Sequence, residues 1–434
     1  MANSYLNRTP SSAGSRTTWT FSAWFKRSKS DSGGHQIFTC SPTSGTDESK
    51  IYIYNNALYW KQEISNTADG YLVTNRLFRD TNAWYHIVCQ WNTTNVTESE
   101  RMKIWINGVQ ETSFSTNNLP DQNRESYINS ANAHYIGTNT NTDGSFFDGY
   151  MSHVAFVDGS IVAPTVFGET DSTSGIWKFK SPSGVTWGTN GFHLKFENSG
   201  NLGLDSAGSN NFTVNGNLKQ ALDTPSDSYA TLNPLATDQT LTNGNTTAQH
   251  SGSGDNYQSG PTTFAVTSGK WYCECKFAVD SNYPAIGIAT TDARETSELK
   301  SNYIGETTKS YGYYMDGNIY YNGNTVATGQ ATFATNDIAG MALDLESTQN
   351  TLKFYKNGSL VYTQNIADTP QGWYFACTNQ GTRTSARNFF NFGNGFFGTT
   401  AIASAGSNGN GSLFEYDVPS GYYALNTKNL NTYG

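Results

Sequence analysis

The sequence has few charged residues, and basic residues are fewer than acidic ones. Asp, Glu, Lys and Arg make up 14% of the 434 residues, whereas about 25% is usual in a soluble domain. The chain has 26 basic and 35 acidic residues, which gives a formal net charge of −9. A protein that binds nucleic acid regardless of its sequence needs a basic surface. This charge balance therefore argues against nucleic acid as a partner.

Cysteines are also few, and long apolar runs are missing. The five cysteines show no framework spacing, so we predict free, buried thiols. No apolar run approaches the roughly 18 residues of a membrane helix. The first residues show neither the basic nor the apolar region of a secretion signal. We therefore expect synthesis in a reducing cytoplasm, without membrane insertion.

Aromatic residues are abundant, and they lie in alternating patterns. Two stretches, residues 84–110 and 337–361, each give a strand, a polar connection, a strand, an Asn-Gly pair and a further strand. Strict alternation of apolar and polar residues is typical of a half-buried strand. Asn-Gly suits a two-residue hairpin turn, because both central residues need a positive φ. Each half of the chain is thus centred on an antiparallel hairpin. The predicted fold class is all-β, with two antiparallel β-sandwiches.

The first sandwich is predicted over residues 1–165, and its motifs resemble a known family. They are Trp-Thr-Phe-Ser-Ala-Trp-Phe at 19–25, Trp-Tyr-His-Ile-Val at 84–88, Ile-Trp-Ile-Asn-Gly at 104–108 and Phe-Asp-Gly-Tyr-Met-Ser-His-Val-Ala-Phe at 147–156. In this order they resemble laminin-G-like domains of the concanavalin A-like lectin and glucanase superfamily. The resemblance implies a jelly roll of two curved sheets.

The second sandwich is predicted over residues 251–396, after a Gly-, Asn- and Ser-rich bridging segment at 166–250. Its motifs are Lys-Trp-Tyr-Cys-Glu-Cys-Lys-Phe at 270–277, Tyr-Pro-Ala-Ile-Gly-Ile-Ala at 283–289, the hairpin at 337–361 and Gly-Trp-Tyr-Phe-Ala at 372–376. They resemble a SPRY (B30.2-like) domain, another curved sandwich. Residues 397–434 form a C-terminal tail. Its end echoes residues 229–235, so the two segments could bracket the second sandwich.

The pairing of these two modules resembles virion structural and fibre proteins of marine tailed bacteriophages. The resemblance implies a non-enzymatic virion protein, made in the host cytoplasm, with other virion proteins as partners. A homo-oligomer is expected, because virion proteins often assemble symmetrically. Whether the lectin-like domains also bind host-surface polysaccharide, or are purely structural, stays open. A bacterial lectin or adhesin is an alternative.

The predicted ligand-binding surface lies on loops of the SPRY-like domain, where the resemblance places binding. The candidate residues are Arg294 and Tyr303, in the loop 290–310, and Arg383. The opposing interpretation is that such aromatic residues only fill cores. No cofactor or metal is predicted, but one calcium ion stays open as an alternative, because laminin-G-like domains often hold one. The candidate ligands for calcium are Asp143, Asp148 and Asp158.

A carbohydrate-active enzyme is the main catalytic alternative. Glucanases of this superfamily carry Glu-x-Asp-x-x-Glu on one strand, which places two carboxylates on one face at about 5 Å for retaining chemistry. The sequence has no such motif. Glu98 and Glu100 are predicted in a polar turn, and Asp344 and Glu346 lack a third partner. We therefore predict that the chain is not an enzyme.

Overall fold

The computed structural model describes residues 4–42, 47–139, 145–252, 254, 256–278, 284–295, 298–367, 371–381 and 386–434. The chain divides into two compact units, Met1–Gln220 and Ala221–Gly434. Both are built from antiparallel strands with very little helix, which confirms the predicted all-β class. No helix in the described ranges is long and apolar enough to cross a membrane.

The first unit is a sandwich of strands that run mostly antiparallel to their neighbours. The strands are β1 (Tyr5–Arg8), β2 (Thr18–Arg27), β3 (His35–Cys40), β4 (Glu48–Tyr54), β5 (Ala57–Ile64), β6 (Thr67–Leu77), β7 (Tyr85–Asn92), β8 (Met102–Ile106), β9 (Val109–Gln110), β10 (Phe114–Asn118), β11 (His134–Ile136), β12 (Gly149–Asp158), β13 (Gly168–Thr170), β14 (Trp177–Phe179), β15 (Phe192–Leu194) and β16 (Thr213–Asn215). Short 3₁₀ turns cover Glu98–Glu100 and Pro164–Val166.

Two sheets of the first unit enclose its core. Over the described residues, one sheet has the order β10-β6-β5-β4-β3-β11-β1-β16 and the other β15-β12-β2-β7-β8-β9. Alternate residues of their strands meet in an aromatic core. The Trp19 ring stacks on Trp91 at 6.1 Å and lies 5.6 Å from Trp60. The predicted Asn-Gly turn joins β8 to β9, with φ of 48° at Asn107 and 77° at Gly108.

The second unit is also a sandwich, and its described residues include three short helices. Its strands are β17 (Thr240–Thr242), β18 (Thr247–Gln249), β19 (Tyr257–Pro261), β20 (Lys270–Ala278), β21 (Ala285–Thr290), β22 (Ser310–Tyr314), β23 (Ile319–Tyr321), β24 (Asn324–Ala327), β25 (Ile338–Asp344), β26 (Thr351–Lys356), β27 (Ser359–Asn365), β28 (Trp373–Gln380), β29 (Arg387–Asn391), β30 (Phe396–Phe397), β31 (Thr400–Ala401) and β32 (Tyr423–Ala424). Its helices are α1 (Thr291–Glu295), α2 (Glu298–Ser301) and α3 (Thr427–Tyr433).

The sheets of this unit run β17-β18-β29-β20-β25-β26-β27 and β19-β28-β21-β22-β23-β24 within the described ranges, and β32 pairs with β20 in parallel. The predicted hairpin is formed by β25, β26 and β27, with Asn357 and Gly358 at positive φ between the last two. The loop predicted at 290–310 holds α1 and α2. The hydroxyl of Thr290 bonds the Asp292 carboxylate at 2.7 Å where α1 begins, and an acidic residue in a first turn favours a helix.

Residues 166–250 and the tail supply strands to the two units. In the first unit, β15 pairs with β12 and β16 pairs with β1. In the second unit, β18 pairs with β29. The two similar segments, residues 229–235 and the end of the tail, are paired with each other. Tyr229 and Asn426 form an antiparallel bridge, and the Ala230 N–H donates to the Leu425 carbonyl at 2.9 Å. All five cysteines are free and buried, as predicted.

Candidate binding surfaces

The outer face of the larger sheet in the first unit carries a cluster of tyrosines. On β4, Ile51 and Ile53 enter the core, so Tyr52 and Tyr54 point to the opposite face, because side chains alternate along a strand. The same alternation directs two further tyrosines of β5 and β6 outward. We call this set the tyrosine face: Tyr52, Tyr54, Tyr59 and Tyr71.

Tyr59 lies at the centre of the tyrosine face. Its ring centroid is 5.0 Å from that of Tyr52, 5.6 Å from that of Tyr54 and 6.2 Å from that of Tyr71. Tyr52 and Tyr59 are direct cross-strand partners. Aromatic pairs at such distances contribute about 0.5–1.5 kcal/mol each beyond the area they bury. The tyrosines are thus held in place by one another, while Tyr54 keeps 43% of its surface exposed.

Charged side chains on this face are paired and balanced. The Lys50 ammonium lies 5.0 Å from the centre of the Tyr52 ring and 2.5 Å from the Glu48 carboxylate. On the neighbouring strand, Lys61 lies 2.5 Å from the Glu63 carboxylate. Two lysines are thus matched by two glutamates, and the face combines aromatic rings with neutralised charge.

Two hydroxyls of the tyrosine face, those of Tyr52 and Tyr59, remain protonated at neutral pH. Burial raises the pKa of Tyr52, and it also raises the pKa of Tyr59. A neutral phenol both donates and accepts hydrogen bonds. The sequence analysis did not select these tyrosines. The alternation of Ile and Tyr over residues 51–54 was the signal that could have found them.

Of the three ligand-binding residues predicted on the second unit, the structure describes the side chain of one, Tyr303. The backbone of Arg294 lies in α1, but its side chain is outside the described set, and Arg383 lies outside the described residues. The Tyr303 ring is half-buried and lies 5.1 Å from Tyr257 and 6.0 Å from Tyr314. The ligand-binding role of the three residues therefore stays a prediction.

Tyr303 belongs to an aromatic cluster around the buried Tyr314. Tyr314 and Tyr320 pack edge to face at 4.9 Å, and both contact Tyr303. Burial raises the pKa of the Tyr314 hydroxyl well above its usual value, and within the described residues this hydroxyl has no hydrogen-bond partner. Tyr303 packs edge to face against Tyr314 and Tyr320, so its role in the structure is to cover this cluster.

The candidate calcium ligands do not form one site. Asp143 lies outside the described residues. Asp148 directly precedes the ten-residue strand β12 and Asp158 ends it, so they are separated by roughly 30 Å. The Asp158 carboxylate accepts the backbone N–H groups of Ser15 at 2.8 Å and Asn190 at 3.1 Å. The described residues contain no group of three His, Cys, Asp or Glu side chains placed to hold a metal.

Two of the carboxylates considered for catalysis, Glu100 and Asp344, are engaged in local contacts. Glu100 lies in an exposed 3₁₀ turn and pairs with Lys103 at 2.5 Å. Asp344 is buried at the end of β25, where it pairs with Lys270 at 3.1 Å and accepts from the Ser347 hydroxyl at 2.8 Å. These contacts fix turns and strand ends. The prediction that the chain is not an enzyme stays a prediction.

Comparisons with known proteins match two regions of the chain. Residues 2–167 match a laminin G type family described as the concanavalin A-like lectin/glucanases superfamily, and residues 270–392 match the SPRY domain family. No curated protein matches the chain.

Several solved structures are similar to parts of the chain. The SPRY domain of human HERC1 is 20% identical, over 37% of this chain and 96% of that one, with a TM-score of 0.31. The TRIM65 PSpry domain is 18% identical, over 37% and 90%, with a TM-score of 0.29. A native heptameric SAP-like pentraxin from Limulus polyphemus is 13% identical, over 49% and 88%, with a TM-score of 0.31. From the two family matches, the chain carries a concanavalin A-like domain of the laminin G type followed by a SPRY domain, and this pair of lectin-like folds suggests a role in binding or adhesion.

Proposed function

We propose that the protein is a non-enzymatic adhesion protein that binds surface polysaccharide through the tyrosine face of its first unit. The observation that carries this proposal is the cluster around Tyr59, in which four tyrosines are held on three neighbouring strands. Strands position side chains more rigidly than loops do, so little freedom is lost when a ligand binds.

Tyrosine suits a sugar ligand for two physical reasons. Its ring offers an apolar surface to the C–H groups of a sugar ring, and its hydroxyl exchanges hydrogen bonds with sugar hydroxyls. It also loses little side-chain freedom on binding, since it has only two χ angles. The proposed binding needs no resident cofactor or metal.

The proposed setting is the virion of a tailed bacteriophage, made in the host cytoplasm. This part is supported by the order of the two domains, which resembles that of phage virion and fibre proteins. The partners would be other virion proteins, copies of the same chain and host-cell polysaccharide. Immunogold labelling of purified phage particles with an antibody against this chain tests it, and particles without label would contradict it.

The binding proposal is tested on an array of immobilised bacterial polysaccharides and defined glycans, using the full chain. Wild type is compared with Tyr59→Ala and with the control Tyr362→Ala, which removes a half-buried tyrosine from β27 of the second unit. We expect glycan binding that is at least tenfold weaker in Tyr59→Ala and unchanged in the control. A folded wild type that binds no glycan, or a Tyr59→Ala variant that binds equally well, would overturn the proposal.

A further inference from the structure

A polar groove lies at one end of the second unit. Its volume is about 450 Å³, within the ~300–1,000 Å³ range of small-molecule sites. Its walls come from the turn between β25 and β26, from Ile366 and Ala367 after β27, from Gln371 and Trp373 at the start of β28, and from Thr267. We name it the Trp373 groove.

We propose that the Trp373 groove binds a neutral saccharide unit. This inference goes beyond the proposed function, because it concerns the other unit and uses no residue of the tyrosine face. The groove adjoins the loop 290–310, because the Gln371 side-chain oxygen accepts the Asp292 N–H at 3.3 Å. None of the three residues predicted on the SPRY loop surface is among the described residues that line the groove.

The chemistry of the lining carries the proposal. The polar side chains along the groove are amides and hydroxyls: Thr267, Ser347, Thr348, Gln349, Asn350 and Gln371. None of the described lining residues is charged. Amides and hydroxyls both donate and accept hydrogen bonds, as sugar hydroxyls require. A charged ligand would lose hydration here without gaining a counter-charge from the described lining residues, so this lining favours a neutral ligand.

Apolar side chains complete the groove. Ile366 and Trp373 are almost fully buried, at 1% and 2% exposure, and Leu345 lies beside them in the lining. Because Ile366 and Trp373 are almost fully covered, the apolar surface open to the groove comes from the half-buried Leu345 and the exposed Ala367. This small apolar surface beside several polar groups matches a ligand with an apolar C–H face and a rim of hydroxyls.

The groove is held in shape before any ligand arrives. The Gln349 Nε2 group donates to the Ile366 carbonyl at 3.0 Å, and the Ile366 N–H donates to the Asn350 carbonyl at 3.0 Å. On the other side of the turn, the Asp344 carboxylate accepts the N–H groups of Glu346 and Ser347 at 3.0 and 3.1 Å. These bonds fix both ends of the 345–350 turn, and a fixed site loses less entropy on binding.

The test separates the groove from the tyrosine face. The full chain carrying Tyr59→Ala is applied to an array that holds both neutral and acidic glycans, so that any binding left comes from elsewhere. Asn350→Asp is then added, because it keeps the shape of the side chain but introduces a negative charge. Asn324→Asp on β24 is the matched control, an exposed asparagine outside the groove. Thr348→Arg, at an exposed position in the groove lining, blocks the groove by a second route.

We expect residual binding to a neutral glycan that falls at least tenfold with Asn350→Asp and with Thr348→Arg but not with Asn324→Asp. Unfolding curves matched to that of Tyr59→Ala check the fold of each variant. The inference is overturned by residual binding that the groove variants leave unchanged, by binding to acidic glycans alone, or by no residual binding. Each of these outcomes leaves the proposed function standing if Tyr59→Ala weakens wild-type binding.

Discussion

The backbone N–H of Tyr416 donates a 2.9 Å hydrogen bond to the carboxylate of Glu274, a residue 142 positions earlier in the chain. The Glu415 N–H donates to the same carboxylate at 2.8 Å, and Asn391 and Tyr272 add weaker bonds. Glu274 is fully buried in β20. A single buried carboxylate thus fixes the C-terminal tail to the sheet of the second unit.

The first prediction concerns the pH dependence of this contact. Burial raises the pKa of Glu274 to about 7, even though its four donors favour the charged form. The folded state therefore holds the proton more tightly than the unfolded chain, whose glutamates titrate near 4.3. The stability that Glu274 contributes is therefore fully present below the unfolded pKa and is lost as pH rises through the folded pKa of about 7.

Titration of Glu274 should therefore lower the free energy of unfolding of the second unit by about 2 kcal/mol between pH 5 and pH 8. Glu274→Gln should remove this difference. It should also lower stability by about 1–3 kcal/mol at both values, because its amide nitrogen faces N–H donors. Urea unfolding that is monitored through the hydrogen exchange of the β20 amides measures both effects. Equal pH slopes for wild type and variant would contradict the prediction.

The second prediction concerns histidines of the first unit, which should respond to pH in the opposite direction. His134 is buried as a neutral ring, since its Nε2 accepts the Asn129 N–H at 2.8 Å and its Nδ1 donates to the Asn132 carbonyl at 2.8 Å. Burial lowers the pKa of His134 to about 4 and that of His86 to about 3. A lowered pKa gives stability above the unfolded value, near 6.5, that is lost as pH falls.

We expect the titration of His134 alone to lower the free energy of unfolding of the first unit by about 2 kcal/mol as pH falls from 6.5 to 5. Tryptophan fluorescence reports mainly on this unit, because eight of the ten tryptophans precede residue 220. In the His134→Gln variant, the loss of unfolding free energy over this pH range should be smaller by about 2 kcal/mol. A first unit that is equally stable at both pH values, in wild type and variant, would show that the ring is not held neutral.

The hairpin turns show how far the sequence could predict the fold. Asn107 and Asn357 both adopt a positive φ before glycine. The side-chain oxygen of Asn107 accepts the N–H of His86 at 2.8 Å, and that of Asn357 accepts the N–H of Ile338 at 2.9 Å, in each case near the start of a strand of the same sheet. Local patterns of this kind are complete within about 25 residues, so the sequence predicts the hairpins correctly. The Glu274–Tyr416 contact could not be predicted from the sequence, because no local pattern indicates a partner 142 positions away.

The binding surfaces show the same limit. Tyr52 and Tyr59 face each other in the hairpin of β4 and β5, and alternation could have placed them on the outer face. The Trp373 groove combines Thr267, Gln349 and Gln371, which meet only once both sheets are folded. The short helices α1 and α2 were missed because five and four residues carry too little helical periodicity to detect.

The third prediction follows from the turns. Asn357→Ala should lower the stability of the second unit by about 1–2 kcal/mol, because alanine loses the hydrogen bond to Ile338 and disfavours a positive φ. Asn357→Gly should cost less, since glycine accepts the φ and loses only the side-chain bonds. Thermal unfolding of both variants measures the difference. If the two variants are equally destabilised, backbone conformation contributes nothing at this position.

The fourth prediction separates the ring of Tyr59 from its hydroxyl and from the charges beside it. Tyr59→Phe keeps the ring contacts with Tyr52, Tyr54 and Tyr71, so glycan affinity should fall only a few-fold, whereas Tyr59→Ala should lose at least tenfold. Both effects are read by titration with a glycan selected on the array. Affinity should also be nearly unchanged between 50 and 500 mM NaCl. Lys50 and Lys61 are paired with Glu48 and Glu63, so this face has little net charge to attract a charged polysaccharide, and screening by salt removes little binding energy. An affinity that collapses in high salt would indicate that lysine charge, and not the aromatic surface, holds the polysaccharide.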